Sequence, residues 1–427
     1  MTIDLEQLLE LAKKAGASQA EVYSKEAIAR PVSFEANRLK QLESSESVGT
    51  ALRLWREGCP GLAVAYGPVD PQSLVEKAIA ISQLNSPEES ELVGERTESH
   101  RAKGTEIEVK ELIEIGNEAI AEIKNFYPEV ICSAEFESEI ETTKLLNTKG
   151  LNCQHTEIGS SYYLGAEWVR GEDFLSIYDG EYTKNKIDTA AIVKNILQRL
   201  EWAKFNSDPL VGKLPVLFTS SAATMFWETI ADALNGKRVI EESSPWSESQ
   251  GQIVLAENLT ISQQPDKEPL SCPFDDEGNP TQFLSLISSG RLEQFYTDLS
   301  TGKILAIPST GNGFRPSLSR YPTPDLVNLV VEAGEGSIID LSKQLNSGLI
   351  VDRILGGGAD ISGDFSINVD LGYRVENGAI VGRVKDTMVA GNVYEALKQN
   401  ITLGGDRRWE GSYYTPSIVL EELSIIA

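Results

Sequence analysis

Glu228 and Asp232 lie four residues apart in the stretch Met225-Phe226-Trp227-Glu228-Thr229-Ile230-Ala231-Asp232. On a helix that spacing puts both carboxylates on one face, where two acids buried together would share a proton. The stretch has no imidazole, and the whole chain holds two histidines, His100 and His155. Cys153 precedes His155 by two residues, a spacing from which a thiol and an imidazole could touch a metal or act as a nucleophile pair. No third group is identifiable beside them. His100 lies in a polar stretch and His155 follows Asn152-Cys153-Gln154, so both read as surface or loop residues.

Two further segments invite a ligand reading and lose it on spacing. Asp275-Asp276-Glu277-Gly278 is acidic, yet it lacks the alternate-position oxygens and distal glutamate of a calcium loop. It reads as a solvated turn. Leu355-Gly356-Gly357-Gly358-Ala359-Asp360 is glycine-rich, but no Gly-Lys-Ser/Thr follows and no dinucleotide fingerprint is present. Its glycines are expected to let a backbone approach closely.

These residues need elements to hold them, and 427 residues exceed what one core usually supports. We expect an α+β chain divided at 1–95, 104–208 and 209–427, with two smaller N-terminal units and a larger β-rich C-terminal one. The first helix carries Leu5, Leu8, Leu9 and Ala12 on one face and stops near Gly16. An antiparallel region follows, with Val32, Phe34, Leu52 and Leu54 apolar and a turn at Gly58 to Gly61. Asp70-Pro71 caps the next helix, which turns Leu74, Val75, Ala78 and Ile79 inward.

Residues 85–103 are polar and read as an exposed linker. Thr105 and Glu108 form a capping-box pattern for a helix lined by Leu112, Ile113, Gly116, Ile120 and Ile123. Strand-like segments near 130–140 and 160–169 precede a helix from Asp188, which Asn206-Ser207-Asp208-Pro209 ends. Beyond it, Phe365 to Val375 alternates apolar and polar residues, and Asn377-Gly378 closes a hairpin. Ser289-Gly290 suggests another. No fixed-period repeat is found.

Composition narrows the function. The formal charge of −26 would repel a phosphate backbone, so no direct nucleic-acid partner is expected. The four cysteines form no C-x-x-C pair and read as reduced thiols. No apolar run has the length of a membrane span and the N-terminus lacks a signal-peptide pattern, so a soluble, cytoplasmic protein with no membrane partner is expected.

Five short pieces then occur in a telling order: Asp275-Asp276-Glu277-Gly278, Ser309-Thr310-Gly311-Asn312-Gly313, Ser362-Gly363-Asp364-Phe365-Ser366, Val375-Glu376-Asn377-Gly378 and Val389-Ala390-Gly391-Asn392. Together they resemble the C-terminal domain of the TldD/PmbA family, and the N-terminal pattern of strands and helices is similar to that family's as well. The resemblance implies a fold of the TldD/PmbA type. The family's metal-bearing chain, TldD, is a zinc protease subunit with a histidine-glutamate pair, a second histidine after three intervening residues, and a cysteine before a glycine triplet.

Laid on this chain, that pattern puts the first histidine at Trp227, the glutamate at Glu228, the second histidine at Asp232 and the cysteine at Leu355. Three ligand positions are changed. Catalytic zinc takes three protein ligands from imidazole, thiolate or carboxylate. Tryptophan offers only an N–H donor, leucine has no lone pair, and one carboxylate cannot hold zinc against water. No metal and no cofactor are expected, and without a polarised water Glu228 has nothing to act on as a base. It then reads as a partly exposed helix carboxylate. The departure resembles the PmbA branch, also called TldE, and implies that Gly356, Gly357, Gly358 and Asp360 line a vestigial peptide groove.

The resemblance therefore implies a non-catalytic subunit that pairs with a TldD-type zinc chain and helps degrade unfolded peptides, among them a peptide-antibiotic precursor and a labile antitoxin. The family's older label, modulator of DNA gyrase, reads as indirect. Two other readings stand beside it: a stand-alone peptide-binding or scaffold protein forming a homodimer, and an independent hydrolase built on Glu228 and Asp232.

Overall fold

The chain is described here by a computed structural model covering residues 4–89 and 91–427. It divides into two compact units. The first gathers Met1–Gln198 with two segments from later in the chain, Pro273–Pro280 and Gly313–Thr323, and the second holds Arg199–Cys272, Thr281–Asn312 and Pro324–Ala427. Among the described residues no helix is long and apolar enough to cross a membrane.

In the first unit, Asp4 caps α1 (Leu5–Lys14) through its side chain, and the chain then runs through β1 (Gln19–Glu35), β2 (Arg38–Leu42), β3 (Ser45–Arg56) and β4 (Cys59–Tyr66). The turn into β4 is made by Glu57 and Gly58, both at positive φ. Asp70 caps α2 (Pro71–Ser82) by accepting the Ser73 N–H, as the Asp-Pro pair predicts.

The expected linker contains a strand. β5 (Arg96–Arg101) pairs in parallel with a later strand, β7 (Leu151–Arg170), and sets His100 opposite His155. Arg-Thr-Glu-Ser-His-Arg has no apolar residue, and an edge strand wet on one side does not need one, so hydropathy is silent there. The capping box also fails to form. α3 (Val109–Phe126) starts after Glu108 with no side-chain cap bond, and the Thr105 N–H donates to the Lys184 carbonyl at 2.9 Å instead.

β6 (Ile131–Asn147), β7 (Leu151–Arg170) and β8 (Asp173–Thr183) complete one eight-stranded sheet in the order β4-β3-β1-β6-β7-β5, with β2 on β1 and β8 on β7. Residues 1–95 and 104–208 thus contribute to the same sheet. α4 (Ala190–Trp202) spans the division between the units.

Alternation along the strands sorts the two faces of this sheet. On one face Leu8, Leu9, Leu74 and Val75 of α1 and α2 pack on Val22, Leu52 and Leu54, while Gly116 lets α3 close on Phe34, whose ring lies 2.4 Å from where a Cβ would stand. The other face is only partly covered. Phe274 from one later segment packs with Tyr23, Leu145, Leu151 and Cys153, and Leu318 from the other packs against them.

The second unit is β-rich as well. It runs through β9 (Gly212–Phe218), α5 (Ser220–Ala233), α6 (Gly236–Ile240), β10 (Ile261–Gln263), β11 (Leu284–Ser288), β12 (Arg291–Leu292) and α7 (Leu299–Leu305). β13 (Gly313–Phe314) falls in the segment that belongs to the first unit and β14 (Thr323–Pro324) at its end; after them the second unit continues with β15 (Leu329–Val331), α8 (Ile338–Gln344), β16 (Ser347–Leu355), β17 (Asp364–Glu376), β18 (Ala379–Val384) and β19 (Met388–Asn392). α9 (Val393–Lys398), β20 (Ile401–Leu403), β21 (Arg408–Glu410), β22 (Tyr413–Thr415) and β23 (Ile418–Ile426) end the chain.

One sheet follows the order β16-β9-β23-β19-β17-β18 and another β12-β11-β10-β15-β22-β21. Both expected hairpins form with two residues at positive φ, Asn377-Gly378 between β17 and β18 and Ser289-Gly290 between β11 and β12. Phe365, Ile367, Val369, Leu371, Tyr373 and Val375 are buried as the alternation predicts.

Candidate functional site

α5 carries the residues at stake. Thr219 caps it and donates its hydroxyl to the Asp352 carbonyl at 3.1 Å. Almost every side chain of the helix is buried, leaving one wet stripe through Ser221, Thr224, Glu228 and Asp232. Trp227, one residue off that stripe, is 0% exposed in the core of the unit, and its Nε1–H has no hydrogen-bond partner among the described residues. Glu228 is exposed, although the protein around its carboxyl displaces enough water to push its pKa up. Asp232 is half-buried and accepts from Arg238 Nε at 2.7 Å.

Leu355 ends β16 and is 63% exposed. Gly356, Gly357 and Gly358 follow at φ of +60°, +80° and +141°, a run that residues with a Cβ adopt only under strain. The loop passes close to β17, where the Cβ position of Gly357 is 3.8 Å from Ile367. Asp360 is exposed and bound within its own turn, accepting the Ser362 N–H at 2.9 Å, and that turn holds its carboxyl below the usual range. Tyr394 Oη donates to the Ile361 carbonyl at 2.9 Å and Asn392 Nδ2 to the Ser362 carbonyl at 3.0 Å.

Three phenols feel the charge of one or other of the two helix acids. Burial raises the pKa of Tyr394, Tyr413 and Tyr296, and the negative charge of Asp232 and Asp360 acts on Tyr394, that of Glu228 on Tyr413 and that of Asp232 on Tyr296. All three are therefore neutral hydroxyls that can donate or accept hydrogen bonds. Motif reasoning passed over them and Arg238. Tyr394 alone left a signal, standing two residues after the Val389-Ala390-Gly391-Asn392 piece.

The zinc set does not fit these residues. Trp227 offers a buried N–H donor, Leu355 offers no lone pair, and Asp232 is already bound to a guanidinium. Among the described residues no group of three or more His, Cys, Asp or Glu is placed to hold a metal.

The acidic turn is corrected by the structure. Asp275 is 0% exposed, and its carboxylate accepts the N–H groups of Glu277 at 3.0 Å, Asn279 at 2.8 Å and Gly313 at 2.8 Å. Asp276 receives the Arg315 N–H at 2.7 Å and the Tyr23 hydroxyl. Arg315 also bonds Glu21, which Arg53 approaches at 3.2 Å. The acids thus join later segments to the first sheet rather than facing water, because backbone donors and arginines replace their hydration. His100 and His155 are likewise strand residues rather than loop ones. Cys153 is buried, and desolvation raises its pKa, which disfavours the nucleophilic thiolate.

Comparison with known proteins fits this geometry. Residues 211–427 match the family model described as the PmbA/TldA metallopeptidase C-terminal domain. A metalloprotease PmbA homolog from Haemophilus influenzae is 26% identical over 442 aligned residues, which span 98% of this chain and 94% of the relative. A metalloprotease TldD homolog from Buchnera aphidicola is 30% identical over 205 residues, 47% of this chain and 42% of that protein. The crystal structure of TldE from Thermococcus kodakarensis shares the fold, with a TM-score of 0.87 at 24% identity, covering 99% of this chain and 100% of that one. This chain belongs to the PmbA/TldD metallopeptidase family, and its end-to-end likeness lies with the PmbA (TldE) branch.

Proposed function

We propose that this chain is a non-catalytic, metal-free subunit that pairs with a TldD-type zinc chain and takes part in proteolysis of unfolded peptides. The observation that carries the reading is the state of the helix: Trp227 is sealed in the core and Asp232 is neutralised by Arg238. Family membership and full-length likeness to a PmbA homolog support the setting. The glycine run and Asp360, with the phenols of Tyr394 and Tyr413, would then line a groove in which an extended peptide hydrogen-bonds through its main chain.

The test is metal analysis of the purified chain, with hydrolysis of an unfolded peptide assayed for this chain alone, for a TldD-type chain alone and for the two mixed. The expected result is no stoichiometric zinc in this chain, no hydrolysis by it alone and more hydrolysis by the mixture than by the TldD-type chain. Stoichiometric zinc, or hydrolysis without a partner, would overturn the proposal. A mixture no more active than the TldD-type chain would favour a stand-alone peptide scaffold.

A further inference from the structure

The helix-free face of the first unit's sheet has an uncovered end with a definite chemistry. On β6, Glu135, Glu137, Glu139 and Glu141 occupy alternate positions and so project from the same face, about 7 Å apart along the strand. Glu141 is paired with Lys25 at 2.7 Å. Glu135 and Glu137 have no cationic partner among the described residues. Glu139, hemmed in by burial and by Glu141 and Glu137, has its pKa raised. With Glu141 already paired, Glu135 and Glu137 are the acids on this strand that a cation from outside would relieve.

Aromatic rings stand beside the acids. In register, Glu135 lies opposite Tyr163 of β7, which lies opposite Gly180 of β8. The Tyr163 ring rests on Gly180, with a ring atom 2.0 Å from where a Cβ would stand, so the ring is fixed while 53% of the residue stays exposed. Tyr178, across from Gly165, is 57% exposed on the same face. Two adjoining grooves of about 270 and 440 Å³ run here, lined by Glu135, Tyr163 and Gln41 in common. Their charged lining is Glu35, Glu43, Glu135 and Glu137 against one cation, Lys40, which is spent on Glu35.

Carboxylates without counter-ions beside exposed phenol rings, one of them fixed on Gly180, are the chemistry that receives ammonium and guanidinium groups. We propose that this face binds extended peptide segments bearing lysine or arginine, with Glu135 and Glu137 as counter-charges and Tyr163 and Tyr178 as ring faces. It deepens the proposed function, on which it rests, by naming basic segments as the class of peptide held.

The test is fluorescence anisotropy with the full chain and three labelled peptides of one length, carrying lysine, glutamine or glutamate at alternate positions. The lysine peptide is expected to bind about tenfold tighter than the glutamine peptide, the size given by two partly screened charges and a ring face, and to weaken as salt rises. The glutamate peptide is expected not to bind. The double variant E135Q/E137Q should erase the preference, and Tyr163→Leu should weaken the lysine peptide alone. E118Q/E122Q, which removes two exposed charges from α3, should leave all three peptides unchanged.

Equal affinity for the lysine and glutamine peptides, or an equal loss in E118Q/E122Q, would overturn the proposal. So would self-association that E135Q/E137Q abolishes, because a second copy would then own the face. Mixtures with a TldD-type chain keep the two readings apart. Hydrolysis that needs this chain but ignores peptide charge sinks this inference and leaves the subunit role. Lysine-selective binding by a chain that never aids hydrolysis supports this inference and sinks that role.

Discussion

Asp232 Oδ1 accepts from Arg238 Nε at 2.7 Å, so the carboxylate that the family pattern sets in a metal-ligand position already has its cation. Both side chains are more than a third exposed, at 34% for Asp232 and 41% for Arg238. The pair is a charge-neutralising contact rather than a stabilising one, since exposed ion pairs contribute about 0–1 kcal/mol.

Arg238→Ala should therefore change stability by less than about 1 kcal/mol. It should also gain no zinc affinity, because Trp227 and Leu355 still supply no donor. Thermal melts of the variant with and without added zinc would coincide. A midpoint that climbs with zinc concentration would show that the freed carboxylate has assembled a site.

Trp227→Ala is a different case. The indole is fully buried, and its removal leaves a cavity in a core that includes Phe226, Ile230 and Leu234. The expected loss is about 3–5 kcal/mol, read from urea denaturation of the second unit. A loss below about 1 kcal/mol would mean that the indole is not the core anchor that its burial implies.

Arg199 grips Asp352 with two bonds, Nε to Oδ2 at 2.6 Å and Nη2 to Oδ1 at 3.0 Å, and both side chains are largely buried. Tyr373 adds a longer contact to Asp352 at 3.4 Å. Arg199→Leu strands a buried carboxylate and should cost about 3–5 kcal/mol. Pairing it with Asp352→Leu should recover most of that loss, because two buried charges then leave together. Equilibrium unfolding of the single and double variants forms the cycle that decides it.

Legibility in the sequence followed physical signal. Strict alternation in Phe365–Val375, the Asp-Pro cap at Asp70 and the Asn-Gly hairpin each rest on local chemistry, and each formed. Thr105 and Glu108 carried an equally local pattern and failed, since the Thr105 N–H found a partner 79 positions away in Lys184. The β5 strand was hidden because an edge strand can be entirely polar. Asp275 misled for the opposite reason: an acidic Gly-ended tetrapeptide looks solvated, and its burial depends on the Gly313 N–H and on Arg315 binding its neighbour, contacts that no local window contains. The missing metal donors were legible from side-chain types alone, whereas Arg238 and the three tyrosines needed coordinates.

Asp275 sets a pH dependence whose sign can be worked out. Burial is the largest influence and raises its pKa from 3.8 to about 7, against three backbone N–H bonds that lower it. The folded state then holds a proton that the unfolded state releases near pH 3.8, so this group's contribution to stability is complete below that value and is lost as pH rises towards about 7. The first unit should accordingly be less stable at pH 8 than at pH 5 in this term. Asp275→Asn cannot ionise, and it should show a flatter profile across that window, at the cost of a weakened bond to the Gly313 N–H. Urea midpoints of both proteins from pH 4 to 8 would reveal it; parallel profiles would mean that the three N–H donors hold the carboxylate ionised throughout.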